Sequence, residues 1–251
     1  MTTIKPQEAL AKIDSLSFSR HAPVNETHKV AILATKYGMK PAFMGDYQEN
    51  LEDYKEAGRR LGLTTRLTNM PPADRYHGGK PNVPQLFLQT FRGIDAKKKS
   101  VVWLVSDAAL LPEITAAAKG STSEGHLLGY PNCCIADFER DRTRLVEELY
   151  GYLVERFATH DEKKLADILL SNPGTPMLRT MRESRVLDTL KAFPFVSHIA
   201  CRSCLIGQSA ASQSLNLKLR DLAEEAGVRV RVEQTVSAAA RRIDLVNRSS
   251  L

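Results

Sequence analysis

Four cysteines are the residues of this chain best suited to chemistry, and they occur in two tight groups. The first group is the adjacent pair Cys133–Cys134, and the second is the Cys-x-x-Cys pair Cys201–Cys204. A Cys-x-x-Cys spacing lets two sulfur atoms converge on one metal ion or cluster. Structural disulfides are disfavoured in a reducing compartment. We therefore predict that the sulfur atoms of both groups meet at one metal centre, despite the long segment between them.

The pattern favours an iron–sulfur centre and leaves two alternatives open. A 4Fe-4S cluster accepts adjacent cysteines at different corners. Zinc is the main alternative, although structural zinc sites usually take two pairs that are each spaced by two to four residues, and adjacent side chains diverge. The other alternative is a thiol redox centre or inert core cysteines, in which Cys133–Cys134 has no explained role.

Both cysteine groups are predicted to lie near helix starts. Asn132 is a good N-cap residue, so Cys133 and Cys134 fall in the first turn of the helix that follows. A second helix is predicted to begin near Cys204. Free backbone N–H groups and the positive end of the helix dipole stabilise negatively charged sulfur at such positions.

Three further residues are candidates for catalytic roles beside the cysteines. His198 precedes Cys201 by three positions, and is interpreted as a further ligand, a hydrogen-bond donor to the centre or a capped surface histidine. Tyr130 is expected to pack its ring over the centre, to offer its hydroxyl to a substrate, or simply to pack beside Pro131. Arg202 lies between the paired cysteines, where it is expected to bind an anionic substrate bidentately or to compensate thiolate charge.

The composition is that of a globular protein with a basic surface. The chain has 251 residues, of which 43% are hydrophobic and 25% charged, both ordinary values. The formal net charge of +6 attracts anions, so a small anionic substrate is the expected partner and nucleic acid the alternative. No apolar run approaches the roughly 20 residues of a membrane helix, so no membrane partner is expected. The absence of a signal-peptide core predicts a cytoplasmic protein.

The pattern of apolar and breaker residues predicts an α/β fold, with a parallel-type sheet and covering helices. Short apolar runs predict the strands, at 28–35, 63–67, 101–105 and 228–232. Helical spacing predicts helices at 6–16, 50–62, 83–91, 107–118, 135–158 and 204–226. Two further helices are predicted within 160–190, with a break near 172–176. Several of these form a helical segment between the two cysteine pairs.

The predicted elements divide the chain into two parts. Residues 1–120 form an α/β part, and residues 121–251 form a helix-rich part that carries the metal site. We expect the two parts to pack as one compact unit. Glycines and prolines predict a loop at 69–82, and the basic run Lys97–Lys99 is interpreted as a solvated turn.

Two stretches around the cysteines carry a family resemblance. Residues 125–134 read Gly-His-Leu-Leu-Gly-Tyr-Pro-Asn-Cys-Cys, and residues 198–204 read His-Ile-Ala-Cys-Arg-Ser-Cys. Together they resemble a family of archaeal and bacterial proteins that has no assigned reaction. Its signature is Leu-Gly-Tyr-Pro-x-Cys-Cys with a distal Pro/Ala-Cys-x-x-Cys. The resemblance implies a shared site.

A weaker likeness is to proteins with tandem-cysteine clusters. These are the terminal-cluster subunit of respiratory complex I and the subunits of heterodisulfide reductase. The chain departs from the heterodisulfide reductase pattern because Ile135, rather than glycine, follows the adjacent pair, and because no further upstream cysteine exists. A non-cubane cluster of that kind is therefore not expected.

Three functions follow from this reading. The first is an oxygen-sensitive iron–sulfur enzyme, a lyase or sulfur-transfer enzyme, which uses a 4Fe-4S cluster for Lewis-acid or sulfur-transfer chemistry on a small anionic substrate. The second is an electron relay with a fully ligated cluster. The third is a zinc-stabilised module that binds RNA or a protein. The chain has no GxGxxG, GxSxG or HExxH motif, so nothing in it supports a nicotinamide dehydrogenase, a serine hydrolase or a zinc protease.

Overall fold

The computed structural model of the protein describes residues 4–46, 48–69, 82–95, 100–119, 124–171 and 185–249. Most of the predicted loop at 69–82, the basic run at 97–99 and the predicted helix break at 172–176 lie outside these ranges. None of the described helices is long and apolar enough to cross a membrane.

Helices make up most of the described chain, and three short strands form its only described sheet. The helices are α1 (Pro6–Ile13), α2 (Ala22–Lys36), α3 (Leu51–Leu61), α4 (Gln85–Asp95), α5 (Leu111–Lys119), α6 (Glu124–Leu127), α7 (Asn132–Phe157), α8 (Glu162–Ser171), α9 (185–192), α10 (Arg202–Leu205), α11 (Ala211–Glu225) and α12 (Arg229–Ser249). The strands are β1 (Ala42–Gly45), β2 (Thr64–Asn69) and β3 (Ser100–Val105).

The sheet is antiparallel, in the order β1-β3-β2. Val105 at the end of β3 is paired with Ala42 of β1 on one side and with Thr64 of β2 on the other. β1 and β2 run in the same direction, as a strand–helix–strand unit requires, but β3 lies between them and runs the opposite way. The prediction of a parallel-type sheet is therefore wrong, because the central strand makes only antiparallel pairs.

Several elements of the first half are where the sequence predicts them. The strands at 63–67 and 101–105 correspond to β2 and β3. The helix at 50–62 corresponds to α3, and Gly62 ends it with a φ of 65°, in the left-handed conformation that glycine adopts without strain. Asp107 caps the turn before α5 by accepting a hydrogen bond from the Ala109 N–H.

Two predicted strands are instead helical. Residues 28–35 belong to α2, in which every residue from position 29 to 35 is buried. A helix that is covered all round has no polar stripe to reveal its period. Residues 228–232 lead into α12, where Val228 and Val232 are buried one helical turn apart while Val230 is 55% exposed. The alternating valines and arginines there imitate the period of a strand.

The largest apolar cluster joins the two halves of the chain. It packs α1, α2 and α3 against α11 and α12, with Ile13, Leu33, Leu222 and Val232 among its fully buried members. A second cluster packs β3 against α5 and residues 127–128. A third packs α4, α7 and α8 together.

A turn at Gly129 carries the chain from α6 into α7 and so positions the first cysteine pair. Gly129 has a φ of 67°, and a Cβ added to it would lie 3.0 Å from the Cδ of Pro41. Both features require glycine, because other residues are strained at this φ and would meet the ring. Pro131 is the N-cap residue of α7 and Asn132 is its first residue, so the helix begins one position earlier than predicted.

Candidate metal centre

The four cysteine sulfurs converge. One Sγ atom from each of Cys133, Cys134, Cys201 and Cys204 lies within 4.8 Å of the other three, and none of the four is in a disulfide. The prediction that the two groups meet is therefore confirmed. They are brought together although Cys134 and Cys201 are 67 positions apart in sequence.

Three helices meet at these sulfurs. Cys133 and Cys134 lie in the first turn of α7, as predicted. Cys201 is the N-cap residue of α10, and Cys204 lies within that single turn. The helix predicted at 204–226 is divided into α10 and α11, and the first turn of α11 contributes Ser212 to the site.

The sulfurs are close together and mostly shielded from water. Cys204 Sγ lies 3.7 Å from Cys133 Sγ and 3.8 Å from Cys134 Sγ. Cys134, Cys201 and Cys204 are each at most 3% exposed, whereas Cys133 is half-buried. Thiolate-rich sites of this kind select zinc, Cu(I) or iron–sulfur clusters over oxygen-preferring metals. The group can hold a metal ion.

Two serine hydroxyls, which the sequence interpretation missed, contact the adjacent cysteines. Ser212 Oγ lies 3.3 Å from Cys134 Sγ, and Ser209 Oγ lies 3.7 Å from Cys133 Sγ. The backbone N–H of Cys201 also donates to Cys134 Sγ, at 3.4 Å. Each sulfur of the adjacent pair thus has its own hydroxyl neighbour.

Burial and hydrogen bonding shift the pKa values of these thiols in opposite directions. Burial raises the pKa of Cys134 and that of Cys201 above the ordinary thiol value. Burial also acts to raise the pKa of Cys204, but hydrogen bonds from Ser212, Ser209 and Cys201 outweigh it and lower that pKa to about 6. Cys204 therefore ionises more readily than Cys134 or Cys201.

His198 lies beside the cysteines without belonging to the group of converging ligand atoms. Its Nε2 is 3.1 Å from Ser212 Oγ, and its buried Nδ1 has no hydrogen-bond partner among the described residues. Burial lowers the pKa of His198 to about 4, and the charge of Lys40 acts in the same direction. The imidazole is therefore neutral at physiological pH.

Tyr130 packs against His198, and Lys40 packs against Tyr130. The Tyr130 ring lies 4.9 Å from the imidazole, and its hydroxyl donates to the backbone carbonyl of Ser197 at 3.3 Å. Burial raises the pKa of Tyr130 to about 12. Lys40 Nζ lies 5.1 Å from the Tyr130 ring centre and donates to Ser197 Oγ at 3.2 Å. Lys40, which the sequence interpretation did not single out, is only 1% exposed, and burial lowers its pKa to about 8.

The chain matches no protein-family model, no curated protein and no solved structure.

Two arginines near the cysteines have different surroundings. Arg202 is exposed on α10, and its predicted role as an anion ligand stays a prediction. Arg185 on α9 donates to Asp137 of α7 at 2.6 Å and to the backbone carbonyl of Ala200 at 3.2 Å. Arg185 therefore ties the helix that carries one cysteine pair to the residue that precedes the other pair.

Side chains of α9 and α11 hold the segment 193–200, which contains a turn and leads to Cys201. Thr189 Oγ1 accepts a hydrogen bond from the Ala200 N–H at 3.0 Å. Asn216 Oδ1 accepts one from the Phe195 N–H at 3.0 Å. These bonds satisfy backbone groups that no strand or helix pairs, and they fix the approach of Cys201 to α7.

Proposed function

We propose that the protein binds a single zinc ion through its four cysteine thiolates. The observation that carries the proposal is the spacing of the sulfurs, with Sγ–Sγ distances of 3.7 and 3.8 Å and all four within 4.8 Å. Zinc–sulfur bonds of about 2.3 Å in tetrahedral geometry place the sulfurs about 3.8 Å apart. A 4Fe-4S cluster holds each thiolate on a separate iron, so its sulfurs are spread more widely.

The proposed role of this zinc is structural. A site that takes all four ligands from the protein leaves no position for substrate or water. Three of the four sulfurs are also buried. The ion would link the start of α7 to α10 and to the first turn of α11, two regions that are otherwise far apart in the chain.

The second candidate is the iron–sulfur enzyme that the cysteine pattern favours. The observation that supports it is the partial exposure of Cys133, the one sulfur of the four that is not buried. A cluster with an open iron at this corner would supply Lewis-acid or sulfur-transfer chemistry, and a small anionic substrate would reach it from solvent. In that case Arg202, exposed on α10, would be available to bind the anion.

Metal analysis separates the two candidates. Protein purified without oxygen should be colourless and contain about one zinc per chain, with no acid-labile sulfide. The double variant Cys201→Ser/Cys204→Ser should lose the metal. Ser203→Ala should keep it, because Ser203 is exposed between these cysteines and its side chain makes no hydrogen bond among the described residues.

Two results would contradict the zinc proposal. Brown protein with iron and labile sulfide would favour the enzyme instead. A colourless protein that takes up neither zinc nor a reconstituted cluster would contradict both candidates.

A further inference from the structure

A chain of hydrogen-bonding groups runs from His198 through Ser212 to the sulfur of Cys134. The His198 Nε2 to Ser212 Oγ distance is 3.1 Å, and the Ser212 Oγ to Cys134 Sγ distance is 3.3 Å. Ser212 is fully buried and His198 is 9% exposed, so water does not compete for these contacts. These hydrogen bonds form without a change in protonation, because the His198 imidazole and the Ser212 hydroxyl are both neutral.

The number of available protons fixes the direction of the two hydrogen bonds. A serine hydroxyl has one proton, and a neutral imidazole has one. If the imidazole proton were on Nδ1, it would be a buried donor without an acceptor, since the described residues offer Nδ1 no partner. With the proton on Nε2, the imidazole donates to Ser212 Oγ, and the hydroxyl proton is left free to point at Cys134 Sγ. Cys204, the other sulfur beside Ser212, also accepts a hydrogen bond from the backbone N–H of Ser212, so it does not depend on the hydroxyl proton.

We infer that Ser212 and His198 are positioning residues of the metal centre, which orient the Cys134 thiolate and stabilise its charge through this hydrogen-bond chain. The inference rests on the proposed metal site. It explains how adjacent cysteines, whose side chains ordinarily diverge, serve the same site. Ser212 holds the deeply buried sulfur, and Ser209 lies against its half-buried neighbour.

Tyr130 completes the arrangement by limiting the orientation of the imidazole. Its ring lies 4.9 Å from that of His198, with 36° between the two planes. Its hydroxyl is held by the Ser197 carbonyl, one residue before the histidine. Outer-shell partners of this kind commonly control metal affinity by 10- to 100-fold.

The structure predicts unequal effects for the two serines. Ser212→Ala should weaken zinc binding by about 10- to 100-fold, the range seen for outer-shell partners. Ser209→Ala should have a smaller effect, because its contact is longer, at 3.7 Å, and lies on the half-buried sulfur. Ser203→Ala is the control for substitution near the cysteines and should match the wild type.

Zinc affinity is measured by competition with a chromophoric chelator on full-length, reduced protein. Cobalt(II) substitution gives a second readout, the energy of the sulfur-to-cobalt charge-transfer band. A hydrogen bond to a thiolate stabilises the sulfur electrons, so its loss in Ser212→Ala should move that band to lower energy. A defect that merely loosened the fold would weaken binding without this shift.

A pair of variants at His198 tests the first hydrogen bond of the series, from the imidazole to Ser212. His198→Gln keeps an N–H donor for Ser212, whereas His198→Leu has similar bulk and no donor. We expect His198→Gln to retain most of the affinity and His198→Leu to resemble Ser212→Ala in affinity and band energy. If Ser212→Ala does not fold, the comparison of His198→Gln with His198→Leu is the decisive test.

The possible failures are distinguishable. Wild-type protein that binds neither zinc nor cobalt would overturn the proposed function, and the inference with it. Wild-type protein that binds both, with Ser212→Ala and His198→Leu unchanged in affinity and spectrum, would overturn the inference alone. Equal losses in Ser212→Ala and Ser209→Ala, without a band shift, would also count against the hydrogen-bond chain.

Discussion

Removing the metal should lower the free energy of unfolding by several kcal/mol, because the centre closes a long loop. Cys134 and Cys201 are 67 positions apart. The loop-entropy relation for cross-links gives about 4 kcal/mol at 25 °C for a loop of this length. A protein of this size has a guanidinium m-value of roughly 4 kcal/mol/M, so the unfolding midpoint should fall by about 1 M.

The assay is guanidinium unfolding followed by circular dichroism, with reductant present, in excess zinc and in excess chelator. The double variant Cys201→Ser/Cys204→Ser should unfold at the same midpoint in both solutions, since it no longer connects the two regions. A midpoint that chelator leaves unchanged in the wild type, after metal loss has been verified, would refute the argument that the centre links distant segments.

Two other predictions concern positions outside the cysteines. Gly129→Ala should destabilise the fold by roughly 1–2 kcal/mol, because alanine is strained in the left-handed conformation and its Cβ would lie 3.0 Å from the Pro41 ring. Gly151→Ala lies in open space within α7 and should stabilise the fold by roughly 0.5–1 kcal/mol. Thermal melts of both variants check this, and a Gly129→Ala variant that is more stable than Gly151→Ala would contradict the prediction. The Arg231 guanidinium lowers the pKa of Asp14 from 3.8 to about 2, so the stability that the ionised carboxylate contributes is present above pH 3.8 and is lost as the pH falls through about 2. The stability difference between wild type and Asp14→Asn should therefore shrink over that window in urea titrations, and a constant difference would argue against the ion pair.

The convergence of the cysteines was predictable, but their hydroxyl partners were not. The Cys-x-x-Cys spacing and the adjacent pair are local patterns, and a shared metal explains both. Ser209 and Ser212 are ordinary residues inside the helix predicted at 204–226, and only the three-dimensional contact of this region with the first turn of α7 shows that they face sulfur. Lys40 was missed for the same reason, since nothing local indicates that its ammonium is buried beneath Tyr130.

The errors in the fold have a common physical cause. Local period reports which face of an element is buried, and it fails where an element is buried on all sides or where alternation is accidental. The run 29–35 in α2 is buried throughout, so its apolar stretch is equally consistent with a strand. β1 was not predicted because it has only four residues, and its pairing with β3 depends on the fold as a whole.

Synthesis on the ribosome separates the two halves of the metal centre in time. Chains grow at roughly 5–20 residues per second, so the 67 positions from Cys134 to Cys201 take roughly 3 to 13 s to translate. During that interval Cys133 and Cys134 have neither their partner thiols nor the serines of the α11 start. Loading of the proposed metal is therefore a late event of biogenesis, because all four thiols and the serines beside them are present together only after the start of α11 has been synthesised.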